Sequence, residues 1–215
     1  RLSLKQEDIT ETKEWLKLKT GRSGITIKKE KPKIKMPKRY EKDILLKLEK
    51  DHSYWEERGI KPEITAIFEG GVANAGQMTN RYVFPIFNSL DEVVGFTGRY
   101  LKGTPNNPKV PKWKHIGGTS NWCFPLKHNK KHIHKNKSVI LVESVGDMLA
   151  LWNAGIYNSL VTFGLTVSKA VTLVLLRMDV QQISISFNND FENNSAGNEA
   201  AKEAKNQLLK HFDFN

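Results

Sequence analysis

The sequence predicts an α/β protein in which an α+β N-terminal subdomain precedes a subdomain built on a parallel sheet. Residues 138–212 alternate three apolar strands with three helices, a pattern typical of parallel strand–helix units. Residues 81–101 instead place two strands around a short turn, which indicates an antiparallel hairpin. We therefore predict an N-terminal helix and basic linker at 1–40, a basic subdomain at 41–137 and the parallel-sheet subdomain at 138–215.

The charge of the chain is unevenly distributed. The net charge of the 215 residues is +11, but residues 1–137 carry about +14 and residues 138–215 about −3. This asymmetry indicates that one part of the chain binds a polyanion and the other binds cations. A solubilising surface or lysine-rich codon usage would give the same charge distribution. No stretch reaches the roughly 18 apolar residues of a membrane span. Cys123 is the single cysteine, which excludes an internal disulfide and points weakly to a reducing, intracellular setting; we expect it to pack as a small core residue.

The N-terminal third combines two helical patterns with a charged tether. Residues 8–20 have loosely helical apolar spacing that stops at Gly21, and residues 27–39 read as a basic, proline-containing linker. Residues 41–58 predict one helix that ends at Gly59 and buries the apolar face Ile44, Leu45, Leu48 and Trp55.

The hairpin is followed by a segment with many turn-forming residues. Its turn is expected at residues 89–91, and Pro85 indicates an edge or a bulge in the first strand. Residues 102–137 are rich in Pro, Gly, Lys and His, and therefore predict loops. His128, His132 and His134 fall there among lysines, so a basic loop is favoured over a metal site.

The regular alternation begins after Lys137. Short apolar runs predict buried parallel strands, and the intervening segments carry helical spacing. The predicted strands are 138–144, 158–163 and 181–187, and the predicted helices are 147–155, 167–179 and 198–212, the last with Ala201, Ala204, Leu208 and Phe212 on one face.

Oxygen-bearing side chains follow the ends of two of these strands. Glu143 ends the first strand, Asp147 lies at the start of the next helix, and Asn188 and Asp190 follow the third strand. Because ligands gather at the carboxyl ends of parallel strands, these groups predict a site for Mg²⁺ or Mn²⁺. Helix capping by Asp147 and turn formation at residues 188–190 are the simpler alternatives.

The same residues resemble the TOPRIM family. Residues 142–147, Val-Glu-Ser-Val-Gly-Asp, are similar to the glutamate motif of that family, and residues 188–190 stand where its Asp-x-Asp motif stands. Residues 154–156 and 162–164 resemble the shorter motifs that lie between these two motifs in the family. Residues 196–201 are similar to the Ala-Gly-x-x-Ala-Ala that follows.

Two departures from the family pattern bear on the metal site. Asn188 replaces the first aspartate of the pair, so a charged ligand becomes a neutral carbonyl, which either weakens the metal site or inactivates it. Family members that are primases carry a further acidic pair after the next strand. The chain starts at Arg1 and stops at Asn215, so we expect a piece of a longer protein whose TOPRIM part is truncated.

The basic half resembles the RNA polymerase core of bacterial and phage primases of the DnaG type. Ordered similarities carry this resemblance: Arg-Gly-Ile at 58–60, Arg-Tyr-Val-Phe-Pro-Ile at 81–86, Gly-Phe-Thr-Gly-Arg at 95–99, Pro-Lys-Trp at 111–113 and Phe-Pro-Leu at 124–126. A further lysine of the family has no counterpart near residues 119–121.

The resemblance implies a Mg²⁺-dependent nucleotidyltransferase that makes RNA primers on single-stranded DNA in the bacterial or phage-infected cytoplasm. It assigns catalysis to Glu143, Asp147 and Asp190 and metal binding to Glu143, Asn188 and Asp190. Arg81, Arg99 and Lys112 are implied contacts for template and NTPs, and Lys114 is a further candidate. Trp113 is equally suited to base stacking and to packing.

The implied partners are single-stranded DNA, NTPs and a replicative helicase, fused or separate, with no membrane. Two alternatives stay open at this point: a catalytically degenerate binding domain for single strands, which Asn188 motivates, and a TOPRIM nuclease.

Overall fold

The computed structural model describes residues 14, 17, 38–102, 110–188 and 196–212. The chain divides into two compact units, residues 1–36 and residues 37–215. In the first unit Glu14 and Lys17 are helical and exposed, and the rest of the predicted helix at 8–20 lies outside the described residues. The predicted linker lies outside them too, except for residues 38 and 39. None of the described helices is long and apolar enough to cross a membrane.

The predicted single helix at 41–58 is wrong. The structure has a 3₁₀ helix at Lys42–Lys47 and a separate short helix, α1 (Ser53–Glu56). Between them Glu49 exchanges backbone hydrogen bonds with Val72, at 2.9 and 2.8 Å, so this stretch pairs with the sheet. Gly59 has a φ of +76° and, as predicted, lies where the helical stretch that contains α1 ends. Helix α2 then spans Pro62–Ile67.

An antiparallel sheet of four strands follows, in the order β1-β2-β3-β4. The strands are β1 (Gly71–Ala73), β2 (Arg81–Phe87), β3 (Val93–Tyr100) and β4 (Trp113–Ile116). The hairpin of β2 and β3 confirms the prediction. Pro85 pairs with Phe96 of β3, whereas β1 reaches only as far as Val83, so the proline lies where β2 has no second neighbour.

The loop prediction for 102–137 is wrong over much of its length. The segment contains β4, a 3₁₀ turn at Thr119–Asn121 and the helix α3 (Leu126–Asn136). The three histidines therefore lie on a helix. Its two buried residues are Ile133, which is fully buried, and the polar Asn129, so the helix has almost no apolar stripe. Without such a stripe its lysines and histidines give no helical pattern in the sequence.

The parallel sheet has the order β6-β5-β7 and confirms the predicted fold class. Its strands are β5 (Ser138–Val142), β6 (Ser159–Val161) and β7 (Gln182–Ser186). They alternate with α4 (Val145–Asn153), α5 (Lys169–Arg177) and α6 (Ala196–Leu208). The buried stripe of α6 is Gly197, Ala200, Ala204 and Leu208, with Phe212 packed against this core, whereas the predicted Ala201 is only half-buried.

The central strand β5 and its neighbour β6 are buried on both faces, as the apolar strands predict, whereas alternate residues of the edge strand β7 are exposed. Val139 and Leu141 pack with residues of α5 and α6 on one side. Val142 belongs instead to a core shared with α1, α4 and the antiparallel sheet. The two sheets thus meet through one continuous core within residues 37–215.

Candidate active site

The predicted metal edge lies at the carboxyl ends of β5 and β7. Val142 and Ser186 are register partners, so these adjacent parallel strands end at the same level. Glu143 follows β5 directly and is half-buried, and Asn188 lies two residues beyond β7 and is exposed. Asp190 lies outside the described residues. The structure therefore places two of the three predicted ligands at one sheet edge.

The helix that follows Glu143 starts with a reciprocal cap. Ser144 is the N-cap of α4, and its hydroxyl accepts a bond from the backbone N–H of Asp147 at 3.4 Å. In return the Asp147 carboxylate accepts bonds from the backbone N–H and the hydroxyl of Ser144, at 3.0 and 2.8 Å. Asp147 is thus the third helical residue of a capping box and orders the turn after Glu143. Its catalytic role stays a prediction.

The donor set suits a hard divalent cation. A carboxylate and an amide carbonyl are oxygen ligands of the kind Mg²⁺ accepts alongside water and phosphate. Among the described residues no group of three His, Cys, Asp or Glu side chains is arranged to hold a metal. Asn188 is an amide, and Asp190 lies beyond the described residues, so this result leaves the predicted set untested.

Arg99 carries positive charge on the face of the antiparallel sheet that meets this edge. Its Nε donates to the hydroxyl of Tyr54 at 2.7 Å. Its guanidinium carbon lies 5.9 Å from the ring centroids of both Tyr54 and Trp113. Aromatic rings thus flank a half-buried cation, which suits binding of both phosphates and bases.

Trp55 joins this wall to the start of α4. A methyl group built on Gly146 would lie 3.6 Å from the Trp55 ring, so the indole covers the first turn of the helix closely. The same ring lies 6.4 Å from the ring of Trp113. The basic, aromatic wall and the turn after Glu143 therefore lie beside one another in the same core.

Arg81 is not displayed on this wall. Its side chain is buried, with 4% of the residue exposed. The guanidinium donates to the carbonyl oxygens of Pro111 at 2.8 Å, Gly98 at 3.1 Å and Lys112 at 3.4 Å. Burial lowers the pKa of this guanidinium from its usual value. The structure thus gives Arg81 a role in joining β2 to β3 and to the segment before β4, and its contact with nucleic acid stays a prediction.

The two predicted lysines lie elsewhere on the same sheet. Lys112 is exposed just before β4. Lys114 is opposite Gly98 in the β3–β4 pairing and donates to the carbonyl of Gln77 at 2.8 Å. Because side chains alternate along a strand, Lys114 lies on the face opposite to that of Trp113 and Arg99.

His115 is a residue that the sequence reasoning missed. It lies on the same face as Trp113, with ring centroids 5.4 Å from Phe163 and 6.0 Å from Trp122. Burial lowers its pKa, and its Nδ1 is buried without a hydrogen-bond partner among the described residues. The alternation of Trp113 and His115 is the available signal, but the Pro- and Gly-rich composition around it favours a loop.

Cys123 is half-buried against the core of the parallel sheet, in agreement with its predicted packing role. Burial raises the pKa of its thiol to about 11, so little thiolate is present at neutral pH.

Comparison with known proteins agrees with this architecture. Residues 140–215 match a family model described as Toprim-like. The chain is similar to the DNA primase of Helicobacter pylori J99, with 32% identity over 138 residues that cover 61% of this chain and 22% of the relative. It is also similar to the DNA primase of Staphylococcus aureus MSSA476, with 26% identity over 171 residues, covering 74% of this chain and 26% of the relative.

Solved structures share the fold. The Aquifex aeolicus primase, solved as its zinc-binding and RNA polymerase domains, aligns with a TM-score of 0.64 at 24% identity, covering 77% of this chain and 48% of that one. The DnaG primase catalytic domain bound to ssDNA aligns with a TM-score of 0.62 at 19% identity, covering 75% and 62%. The chain spans only about a quarter of the length of the curated relatives it matches.

Proposed function

We propose that this chain belongs with the catalytic cores of DnaG-type DNA primases, to which it is similar, and that it makes short RNA primers on single-stranded DNA during replication. The proposed substrates are NTPs and a single-stranded DNA template, and the proposed setting is the bacterial or phage-infected cytoplasm. A replicative helicase, fused or separate, is the proposed partner. The primase relatives give no support to a TOPRIM nuclease or to a degenerate binding domain.

One observation carries the proposal. The edge that holds Glu143 lies beside a wall formed by Arg99, Tyr54 and Trp113, with Trp55 packed between them and the first turn of α4. A polymerase needs this juxtaposition, because the template and the nucleotides must be held where the phosphoryl chemistry occurs. Oxygen ligands alone would suit many TOPRIM enzymes.

Glu143, Asn188 and Asp190 are the residues proposed to hold Mg²⁺ or Mn²⁺. When bound there, the metal would polarise the α-phosphate and lower the pKa of the attacking hydroxyl. In the proposed transfer the 3′-hydroxyl would lose its proton to water, its oxygen would bond to the α-phosphorus, and the bond to the pyrophosphate oxygen would break with that electron pair leaving on pyrophosphate. Asp147 would position the turn that presents Glu143, since its carboxylate is held by Ser144.

The basic side chains would bind and orient the polyanionic reactants. Arg99 is held by Tyr54 with its guanidinium between two aromatic rings, so it is preorganised to meet a phosphate or to stack on a base. Lys112, exposed just before β4, adds a further positive charge. Arg81 acts indirectly in this scheme, because its guanidinium fixes the backbone carbonyl of Lys112.

Primer synthesis by the full-length protein tests the proposal. We expect labelled NTPs to be incorporated on single-stranded DNA in the presence of Mg²⁺, and Glu143→Gln to abolish incorporation while leaving template binding intact. Glu199→Gln, an exposed glutamate on α6, is the matched control and should retain activity. Equal incorporation by the parent protein and Glu143→Gln, or none by either, would overturn the proposal.

A further inference from the structure

A large groove lies at the end of the parallel sheet opposite to Glu143. It encloses about 1330 Å³ between α2, α3 and the C-terminal end of α4. Helix α4 begins next to Glu143 and ends at Asn153, and a nine-residue helix is about 13 Å long. Tyr157 and Met178, which line the groove, precede β6 and β7. The groove is therefore at the amino ends of the strands and separate from the candidate active site.

The lining of the groove is strongly basic. Among the described residues it contains Lys61, Lys127, Lys130, Lys131 and Arg177, and no Asp or Glu side chain. Of these five, Lys127 alone forms an ion pair with a carboxylate in the described part of the chain. The other four are exposed. Four positive charges without compensating acids around one concave surface favour a polyanionic ligand.

One wall of the groove is aromatic. The ring of Tyr157 lies 4.7 Å from that of Trp152 and 4.9 Å from that of His132, between centroids. The indole N–H of Trp152 donates to the buried Asn129 at 3.0 Å, and the Asn129 amide in turn donates to the carbonyl of Ser159 at 2.7 Å. Trp152 is thus held in place by β6, while Tyr157 remains 36% exposed.

The floor is also fixed by side-chain bonds to the backbone. Asn153 at the end of α4 donates to the carbonyl of Gly59 at 3.0 Å and accepts from the backbone N–H of Lys61 at 3.2 Å. These bonds tie α2 to α4, so Lys61 is presented from a rigid element. A preformed groove loses less conformational entropy on binding than a flexible basic surface does.

We propose that this groove is a second binding track for single-stranded nucleic acid. Cations next to exposed aromatic rings match a phosphate backbone with unpaired bases, whereas an acidic peptide would use only the cations. The choice of ligand rests on the proposed function, but the binding itself requires no nucleotides, metal or catalysis. A DNA strand held here would continue the template beyond the active site.

Binding by the full chain tests the proposal. The probe is a fluorescein-labelled oligothymidylate of about 20 nucleotides, a length that covers more than one site, followed by anisotropy without Mg²⁺ or NTPs. The variant is Lys130→Glu with Lys131→Glu. The matched control is Lys202→Glu with Lys205→Glu, which makes the same change in net charge on exposed positions of α6.

Loss of two phosphate contacts should make the slope of log K against log salt less steep by about 1.4. It should also weaken binding at 0.1 M salt by about 25-fold. The control pair should change affinity less than about threefold if only general attraction is altered. Equal losses in the two double variants would overturn the proposal, and so would no loss in the groove variant. Displacement of the strand by polyglutamate at equal charge would also overturn it, since an acidic peptide would then be the better ligand.

The aromatic wall supplies an independent readout. Tyr157→Ala should weaken binding about fivefold or more through lost stacking, and Tyr157→Phe should restore it. Equal affinity of all three proteins would contradict a nucleic-acid track. Failure of the proposed polymerase activity would appear instead as absent primer synthesis with groove binding intact, so the two failures are distinguishable.

Discussion

Arg81 offers a test of whether a buried arginine is structural or binds the template. The perturbation is Arg81→Met, which keeps the length of the side chain and removes the guanidinium. That group currently donates to the carbonyls of Pro111 at 2.8 Å and Gly98 at 3.1 Å, and more weakly to Lys112 at 3.4 Å. With 4% of Arg81 exposed, water does not replace these bonds without rearrangement.

The magnitude follows from the two shorter bonds. Hydrogen bonds from a charged donor are worth about 1.5–3 kcal/mol each, and desolvation of the guanidinium in the native protein offsets part of this. We therefore expect Arg81→Met to lower the free energy of unfolding by about 2–4 kcal/mol. With a urea slope of about 2 kcal/mol/M, the midpoint should fall by about 1–2 M.

Urea unfolding followed by circular dichroism measures this, with Arg99→Met as the control. Arg99 is half-buried and donates to the Tyr54 side chain, one charged hydrogen bond against the two shorter ones of Arg81, so its replacement should cost about half as much, about 1–2 kcal/mol. Unchanged stability of Arg81→Met would refute the reasoning. If stability is unchanged and the slope of log K against log salt for binding single-stranded DNA becomes less steep by about 0.7, Arg81 contacts a phosphate.

Three further predictions concern packing, capping and pH. Gly95→Ala should destabilise the protein by at least about 2 kcal/mol in urea unfolding, since its Cβ would lie 2.3 Å from an indole ring, whereas Gly118→Ala, with its nearest atom at 3.6 Å, should be nearly neutral. Asp147→Ala should lower the free energy of unfolding by about 0.5–2 kcal/mol in the same assay, whereas Asp147→Asn should keep the capping bonds. Full primer synthesis by Asp147→Asn would exclude a need for the negative charge of Asp147. Burial lowers the pKa of His115 and of His128, so unfolding protonates them below about pH 6.5. Stability should be highest above pH 6.5 and fall toward pH 5 by at most about 1.4 kcal/mol per pH unit for each histidine, and replacement of both by Gln should remove this slope.

The antiparallel hairpin and the parallel sheet were predictable because each depends on local signals. Turn residues separate β2 from β3, and short apolar runs between helical patterns mark β5, β6 and β7. The helix around residue 50 was mispredicted, because the apolar spacing of Leu45, Leu48 and Trp55 is helical while the backbone of Glu49 pairs with β1. Helical spacing gives no information on such a non-local pairing.

Motif order and strand periodicity are properties of the linear chain, and they predict the fold class, the family resemblance and the candidate metal ligands. The partners of each side chain depend instead on how the elements pack. Arg81 and Arg99 look equivalent in sequence, yet one is buried among carbonyl groups and the other lies between aromatic rings. Likewise the basic groove collects residues from four separate elements, and burial and distance between such elements depend on packing rather than on sequence spacing.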